Sequence, residues 1–326
     1  MSIISNFTES TINDAAISLI SGNLVAFPTE TVYGLGADAT NKDAVARIYA
    51  TKGRPTGHPL IVHISSMERL DKWAREIPEY AIKLAKTFWP GPMTLILPRT
   101  NLAKDFITGG QNNVGIRVPA HAIALALLKN FEDQGGKGIA APSANRFGAV
   151  SPTTASAVEL ELASHLTSSD QILDGGSCAV GIESTIIDCT GKTPRILRSG
   201  AITNEMIKII IGELVESDSN SSLSDPIKAP GLLESHYSPK AKIILKGTPL
   251  LGDGYIALNS LDTPVGVIRL ASPNTHEAYA QILYEAFRLA DYKGLKRVFV
   301  VPPVGKGIAI AINDRLEKAA FEIDQN

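Results

Sequence analysis

Hydrophobic positions in residues 1–212 follow two periods, one typical of helices and one typical of short buried strands. Apolar side chains recur at helical spacing within 13–21, and again after Asn41, a residue type that favours the helix N-cap. Short apolar runs at 23–28 and 60–64 indicate buried strands. The same patterns predict helices at 78–88, 152–162 and 202–212, and strands at 94–97, 115–118, 138–141, 171–174 and 185–188. Helices that alternate with strands predict an α/β fold.

The pattern changes between residues 213 and 241. Residues 213–226 are polar, acidic and rich in serine, with little to bury, and therefore indicate a linker. The chain then resumes an α/β pattern, which favours a small, mostly parallel sheet. Its predicted strands are 242–245, 254–258, 265–268 and 297–301, and its predicted helices are 275–290 and 307–320. We expect domains at 1–212 and 242–326, joined by a linker at 213–241.

Composition narrows the class of protein without identifying a ligand. The 326 residues carry 31 Lys and Arg against 33 Asp and Glu, which excludes a histone-like polyanion binder but leaves room for a local basic pocket. The 2 cysteines are too few for a disulfide framework or a Cys-only zinc site. The sequence shows neither a basic segment ahead of an apolar run nor an apolar run of bilayer length, so we expect a cytoplasmic protein without membrane association.

The common nucleotide and hydrolase motifs are absent from the sequence. It contains no Gly-x-x-x-x-Gly-Lys-Ser/Thr phosphate loop, no Gly-x-Gly-x-x-Gly fingerprint, no Gly-x-Ser-x-Gly elbow and no His-Glu-x-x-His helix. Instead, Pro-Thr-Glu-Thr-Val-Tyr-Gly-Leu-Gly at 28–36 directly follows a predicted strand. Such strand ends form the ligand crevice of open α/β sheets, although a glycine-rich turn whose threonines bond to the backbone explains the motif equally well.

Two basic segments are suited to anions. Lys52, Arg54 and His58 share one Gly- and Pro-stiffened segment, which favours a phosphate site, although Lys52 alone fits a solvated helix C-terminus. His63 lies at the end of the next strand, and alone it is best interpreted as a strand histidine whose ring nitrogens are satisfied by hydrogen bonds. Arg117 lies in a predicted strand between apolar neighbours. A partly buried arginine needs an anionic partner, which here is either a structural carboxylate or a ligand carboxylate.

Three further segments combine small residues with polar side chains. Ser143 and Asn145 follow small residues that let a ligand approach the backbone, although a turn before a helix N-cap at Ser151 is the simpler interpretation. Ser184 opens a predicted strand, and Arg198 precedes a turn. The Pro-, His- and Tyr-containing end of the linker either folds over a pocket as a lid or anchors the linker through its tyrosine.

The motifs occur in a particular order along the chain. They are Pro-Thr-Glu-Thr-Val-Tyr-Gly-Leu-Gly, Lys-x-Arg-Pro-x-x-x-Pro-Leu-x-Val-His, Trp-Pro-Gly-Pro-Met-Thr, Gly-Ile-Arg-Val-Pro, Ala-Pro-Ser-Ala-Asn and Glu-Ser-Thr-Ile-Ile-Asp. This order resembles the YrdC/Sua5 family over residues 8–212. The Pro-Gly and His-Tyr-Ser-Pro segments of the linker, with the α/β unit behind them, resemble the longer Sua5 form.

The resemblance implies an L-threonylcarbamoyladenylate synthase, a nucleotidyltransferase. It implies a twisted, mixed-sheet YrdC-like domain with a concave pocket and a smaller Rossmann-like Sua5 domain. Such enzymes condense L-threonine, bicarbonate or CO2, and ATP with Mg²⁺, use no organic cofactor, and release pyrophosphate. Their product is the carbamoyl donor for the t6A modification of tRNA. A downstream tRNA threonylcarbamoyltransferase complex carries out that modification. Direct tRNA binding is expected to be weak or absent.

Matching this sequence to the family's motifs implies roles for single residues. The threonine positions are Thr31, His63, Arg117, Ala141 and Ser184. The ATP positions are Arg54, His58, Asn113, Ser143, Asn145, Ser151, Arg198 and Tyr237. Lys52 and Arg54 are the expected catalytic residues, Lys52 and Asn145 match positions near the phosphates and metal, and His236 and Tyr237 match the lid; the metal ligands are unknown. Because a carbamate of threonine is already an anionic nucleophile, this chemistry needs positioned cations rather than a strong general base.

The linker departs from the family's pattern. The family usually has Met-Lys/Arg-Tyr-Arg before the His-Tyr pair, whereas this chain has Leu-Leu-Glu-Ser at 232–235. An aromatic and two basic residues are missing, so we expect lid closure to be weaker or differently tuned.

Two other functions compete with this interpretation. A non-catalytic RNA-binding module would use the basic concavity, but the near-neutral net charge favours the enzyme. Carbamoyl transfer to another acceptor occurs in hydrogenase-maturation proteins with YrdC-like domains. The missing zinc-finger and acylphosphatase modules argue against that function.

Overall fold

The chain forms two β-sheets of unequal size. The computed structural model describes residues 2–5, 8–212, 227–231 and 237–321. Ten described strands form the large sheet: β1 (Ser2–Ile4), β2 (Val25–Phe27), β3 (Gly34–Asp38), β4 (Ile61–His63), β5 (Met93–Pro98), β6 (Asn113–Arg117), β7 (Ile139–Ala140), β8 (Gln171–Leu173), β9 (Thr185–Asp188) and β10 (Arg195–Arg198). Their order across the sheet is β1-β8-β2-β3-β7-β4-β6-β5-β9-β10, with parallel and antiparallel neighbours. The expected mixed α/β sheet is confirmed.

Helices pack against the large sheet and deliver residues to its edge. They are α1 (Glu9–Ile20), α2 (Lys42–Lys52), α3 (Leu70–Trp73), α4 (Glu79–Phe88), α5 (Asp105–Thr108), α6 (Ala122–Asp133), α7 (Ala155–Leu162) and α8 (Asn204–Ile211). The side chain of Asn41 accepts hydrogen bonds from two amides of the first turn of α2, and Gly53 ends that helix at φ 61°. The end of α2 therefore places Lys52 and Arg54 beside the strands β4 and β7.

The second unit is built on a parallel sheet, here called the small sheet. Its described strands are β11 (Lys242–Ile244), β12 (Gly254–Ile256), β13 (Ile268–Ala271) and β14 (Arg297–Val300), in the order β11-β14-β12-β13. Every described pairing in it is parallel, as the alternating pattern predicted. Two helices accompany this sheet, α9 (His276–Tyr292) and α10 (Ile308–Ala320). The helix α9 is confirmed, but its expected apolar side is wrong in part. Ile282 and Leu289, expected to be buried, are exposed, and Tyr279, Leu283 and Phe287 are buried instead.

The two units pack directly against each other. Val150 and Ile182 of the first unit belong to the same buried apolar cluster as Tyr279 and Leu283 of α9. Gly181 lies at the contact with φ 80°, and a Cβ there would stand 2.4 Å from the Cα atom of Gln281. Only glycine allows both this backbone conformation and this close approach. The second unit is therefore seated against the segment that leads into β9.

Several local predictions were wrong. Gly34, Leu35 and Gly36, at the end of the motif interpreted as a turn or loop, belong to β3, where they pair with β2 in an antiparallel ladder. The helix α6 was missed, although its buried residues recur at helical spacing. Thr154, not Ser151, is the N-cap of α7, so the capping interpretation of Ser151 is wrong. The strand expected at 265–268 begins only at its last residue, as β13.

The expected linker falls mostly outside the described residues, which exclude 213–226 and 232–236. The domain division at 213–241 therefore stays a prediction. Across the part of the chain that the structure describes, no helix combines the length and apolarity needed to cross a membrane.

Candidate active site

A cavity lies where strand ends of the large sheet meet the end of the linker. Its interior is narrow, with about 60 Å³ open to the centre of a water-sized sphere, which is smaller than typical small-molecule sites. Residues from the β2–β3 connection, from the ends of β4, β6 and β10, and from 230–231 line it. The predicted site residues that line the cavity are Thr31, Arg54, His63, Arg117, Ala141, Ser143, Ser184, Arg198 and Tyr237. Side chains far apart in sequence thus share one cavity.

Arg117 is held in the wall by a carboxylate of the chain itself. Its Nη2 lies 2.7 Å from Oε1 of Glu30, and its Nη1 donates to Oγ1 of Thr31 at 2.9 Å. The sequence left two alternatives for the anionic partner of Arg117, a structural carboxylate or a ligand carboxylate. The structure shows the structural carboxylate, that of Glu30. The Nε of Arg117 is buried without a hydrogen-bond partner among the described residues. That N–H can still donate to an anionic ligand.

His63 is a neutral polar group in the same wall. Burial, together with the positive charge of Arg117, lowers its pKa to about 3. Its Nδ1 is buried and lacks a partner within the described residues, so the expectation of a fully satisfied strand histidine is wrong. Beside it, Gly34 approaches Ala141 so closely that a Cβ would lie 3.2 Å from the Cβ of Ala141. These small residues keep the cavity open at this end.

Lys52 does not line the cavity, and its ammonium is bound to backbone. Its Nζ donates to the carbonyl oxygen of Ser143 at 2.5 Å and to that of Asn145. Burial, followed by the nearby Arg54, lowers the pKa of Lys52 well below its ordinary value. The interpretation as a solvated helix end is therefore wrong. Lys52 fixes the segment that follows β7.

Arg54 reaches the cavity from the segment after α2. Its Nη2 donates to the carbonyl of Pro59 at 3.0 Å, and its guanidinium carbon lies 5.6 Å from the ring centre of Phe147. Burial lowers its pKa to about 10, so the side chain stays cationic at neutral pH. The Nε of Arg54 is buried with no hydrogen-bond partner among the described residues. His58 packs edge-on against the same phenyl ring, with 5.3 Å between ring centres, outside the cavity lining.

Asn145 offers an oxygen that the fold does not use. Its amide nitrogen donates to the carbonyls of Arg146 and Ala149 at 2.8 and 2.7 Å. Its Oδ1 is buried and has no partner within the described ranges. Searching the same ranges finds no group of three or more His, Cys, Asp or Glu side chains that could hold a metal. An amide oxygen is a ligand that Mg²⁺ accepts.

Arg198 connects β9 to the linker. Its Nε donates to the carbonyl of Ser184 at 3.1 Å and its Nη2 to the hydroxyl of the same residue at 3.2 Å. Its Nη1 donates to the carbonyl of Pro230 at 3.0 Å. The hydroxyl of Ser184 also lies 2.8 Å from that of Thr94. The guanidinium therefore fixes the wall and the covering segment relative to each other.

Four predicted ATP residues lie outside the cavity lining: His58, Asn113, Asn145 and Ser151. The hydroxyl of Ser151 donates to Oε1 of Glu183 at 2.6 Å, so Ser151 acts on the cavity through a residue that does line it. Asn113 lies in a separate polar cleft with Gln111 and Lys228. His236, expected in the lid, lies outside the described residues.

Two acidic residues of the site were not predicted. They are Glu30, paired with Arg117, and Glu183, in the cavity wall, and both lie inside the motifs that carry the family resemblance. The sequence did contain a signal for them, since each directly precedes a residue predicted to bind the substrate threonine: Glu30 precedes Thr31, and Glu183 precedes Ser184. Buried arginines require buried carboxylates nearby, which would have justified choosing them.

Comparisons with known proteins decide the family. Residues 18–200 match a family model described as "Telomere recombination", and residues 202–321 match one described as "Threonylcarbamoyl-AMP synthase, C-terminal domain". The chain belongs to the Sua5/YrdC family. The resemblance of its motifs to that family is thereby confirmed.

Relatives within the Sua5/YrdC family match over almost the whole chain. A threonylcarbamoyl-AMP synthase of Pyrococcus abyssi is 40% identical, with 98% of each chain covered. One of Bacillus subtilis is 37% identical, with 95% of this chain and 92% of that protein covered. The crystal structure of P. abyssi Sua5 complexed with L-threonine matches with a TM-score of 0.86 at 38% identity, covering 98% of this chain and 97% of the other.

Proposed function

We propose that this protein is an L-threonylcarbamoyladenylate synthase and, by reaction class, a nucleotidyltransferase. The observation that carries the proposal is one cavity lined by Arg54, Arg117 and Arg198, two of which have a buried Nε without a partner within the described residues. Unused buried N–H donors on cations favour anionic ligands. Threonine carbamate and a nucleoside triphosphate are such ligands, and the relatives' names agree with them.

The reaction we propose joins two anions. The amine of L-threonine, as the free base, adds to CO2 and loses one proton to solvent, which gives a carbamate. One carbamate oxygen then attacks the α-phosphorus of ATP. The bond from that phosphorus to the bridging oxygen of the β-phosphate breaks, and pyrophosphate leaves with the electron pair. The carbamate needs no further deprotonation, so the protein has to position the reactants and neutralise charge.

Residues divide between the two substrates. On the threonine side, Nε of Arg117 would bind the carboxylate, with Thr31, His63, Ala141 and Ser184 around it. On the ATP side we propose Arg54, Ser143, Arg198 and Tyr237 in direct contact, with Ser151 acting through Glu183. His58, Asn113 and Lys52 would support this side from outside the cavity lining, Lys52 by holding the segment of Ser143 and Asn145.

The residues present also fit Mg²⁺ bound together with ATP. The unused Oδ1 of Asn145 is a suitable hard ligand. When bound, the ion would neutralise charge on the phosphates. We expect no organic cofactor.

We also propose what happens to the product and where the protein works. The product would pass to a downstream tRNA threonylcarbamoyltransferase complex for t6A formation. We expect weak or no direct tRNA binding and a cytoplasmic location.

Pyrophosphate release tests the proposed function. The purified chain is incubated with ATP and Mg²⁺, and L-threonine and bicarbonate are omitted in turn. We expect release only when both are present. Release that is indifferent to L-threonine would contradict the proposal.

A further inference from the structure

An arginine from the second unit is buried behind the cavity wall. Arg315 of α10 is 0% exposed, and its Nε donates to Oε2 of Glu183 at 3.0 Å. Glu183 belongs to the first unit and lines the cavity. This ion pair thus crosses the contact between the units and ends in the candidate active site.

Glu183 gathers hydroxyl donors from both units. Ser151 of the first unit donates to its Oε1 at 2.6 Å, and Tyr284 of α9 donates to its Oε2 at 3.0 Å. Burial opposes the negative charge, but Arg315, Arg198 and the hydroxyl of Ser151 outweigh it and lower the pKa of Glu183 to about 2. The carboxylate is therefore permanently charged at neutral pH. Its position depends on the partners from α9 and α10.

The same helix contacts the linker. The guanidinium carbon of Arg315 lies 5.4 Å from the ring centre of Tyr237, which also stacks on Tyr284 with 5.8 Å between ring centres. One turn further along α10, Nζ of Lys318 donates to the carbonyl of Gly231 at 2.8 Å. Tyr237 and Gly231 both line the cavity. The helix α10 therefore supports the wall and the covering segment together.

We propose that Arg315 is a positioning residue for ATP, acting through Glu183 and Tyr237, so that the second unit completes the active site. A cation here does more than join the units, because it orients groups on the nucleotide side of the cavity. The proposal rests on the proposed function, which assigns Ser151, Arg198 and Tyr237 to ATP. Arg315 itself does not line the cavity.

The interface offers a matched control. Arg288 of α9 also crosses the contact, with Nη1 3.7 Å from Oε2 of Glu161 and Nη2 donating to the carbonyl of Val150. Neither Glu161 nor Val150 lines the cavity. Arg288→Met therefore weakens the contact between the units without removing a charge paired with a cavity-lining residue. Arg315→Met removes the charge that reaches the wall.

The test compares steady-state pyrophosphate release by wild type, Arg315→Met, Arg315→Lys and Arg288→Met, with L-threonine binding measured by calorimetry. For Arg315→Met we expect the KM for ATP to rise about tenfold or more, since a charge-assisted contact is lost. The Kd for L-threonine should stay within about twofold, and Arg315→Lys should recover part of the loss. Arg288→Met should leave the KM for ATP within about twofold at a temperature where it is folded.

Equal effects of Arg315→Met and Arg288→Met on the KM for ATP would overturn the proposal, as would an unchanged KM in Arg315→Met. Should Arg315→Met fail to fold, Tyr284→Phe decides instead, because it removes only the hydroxyl that binds Glu183. A raised KM for ATP in Tyr284→Phe supports the proposal, and an unchanged one contradicts it. Failure of the proposed function itself looks different, because wild type would then show no threonine-dependent release.

Discussion

Arg117 Nη2 lies 2.7 Å from Oε1 of Glu30 in the wall of the candidate active site. The pair neutralises a buried charge and leaves Nε of the same guanidinium without a hydrogen-bond partner in the described part of the chain. The arginine is thus oriented before a ligand arrives, which reduces the entropy lost on binding.

Removing this guanidinium should weaken threonine binding. We expect Arg117→Ala to raise the Kd for L-threonine by roughly 10- to 100-fold, measured by calorimetry without ATP, because a hydrogen bond between charged groups is lost. Glu30→Gln is the matched variant, since its amide oxygen can still accept from Arg117, and its effect should be smaller. An unchanged Kd in Arg117→Ala would show that the carboxylate binds elsewhere.

Lys52 should matter for stability as well as for activity. In Lys52→Met the carbonyls of Ser143 and Asn145 lose their buried donor. We expect the free energy of unfolding in urea to fall by about 1–3 kcal/mol, and kcat/KM for ATP to fall as the segment shifts. Lys129→Met, which removes an exposed pair with Asp133, should change stability by less than about 0.5 kcal/mol. Equal stability of the two variants would refute the buried role of Lys52.

His63 should make stability depend on pH. Its pKa falls from 6.5 in the unfolded chain to about 3 in the folded one, so the unfolded state binds the extra proton between these values. The contribution of His63 to the free energy of unfolding is fully present above the unfolded pKa. It is lost as pH falls toward the folded pKa, by at most ~1.4 kcal/mol per pH unit for one proton. Between pH 7 and pH 5, His63→Asn should lose less stability than wild type. Parallel curves for the two proteins would contradict the buried, neutral state of His63.

Gln111 should hold the end of the linker. Its amide nitrogen donates to the carbonyl of Lys228 at 3.0 Å, and its oxygen accepts from the amide of Lys228 at 2.7 Å. In Gln111→Ala we expect hydrogen exchange at the Lys228 amide to accelerate by roughly 2- to 10-fold, the size of one ordinary hydrogen bond. Gln134→Ala, which removes bonds to Asn13 and Asn130, should leave that amide unchanged. Equal exchange in both variants would mean that Gln111 does not anchor the linker.

The sequence allowed the α/β class and much of the cavity lining to be predicted. Strands such as β4 carry strong apolar runs, and Arg54, Arg117 and Arg198 stand out as cations in Gly- and Pro-rich or apolar surroundings. Their convergence on one cavity was predictable through the family resemblance, because strand order places distant segments side by side. Spacing alone contains no such information.

Other features depend on tertiary contacts that local patterns do not encode. Lys52 ends a helix, as a solvated lysine does, and only the packing of the segment after β7 buries it. Arg315 lies on a helix whose pattern gives no sign that its partner, Glu183, belongs to the other unit. Asn113 belongs to the same strand as Arg117, β6, yet lies in a different cleft. The roles assigned to single residues at the active site stay predictions until the variants are measured.

Isotope transfer tests the central claim most directly. The chain is incubated with ATP, Mg²⁺, L-threonine and ¹³C-bicarbonate, and the nucleotide product is identified by mass spectrometry. The account predicts threonylcarbamoyl-AMP that carries the ¹³C label, formed in step with pyrophosphate. An unlabelled threonyl-AMP, or AMP released without any adduct, would contradict it.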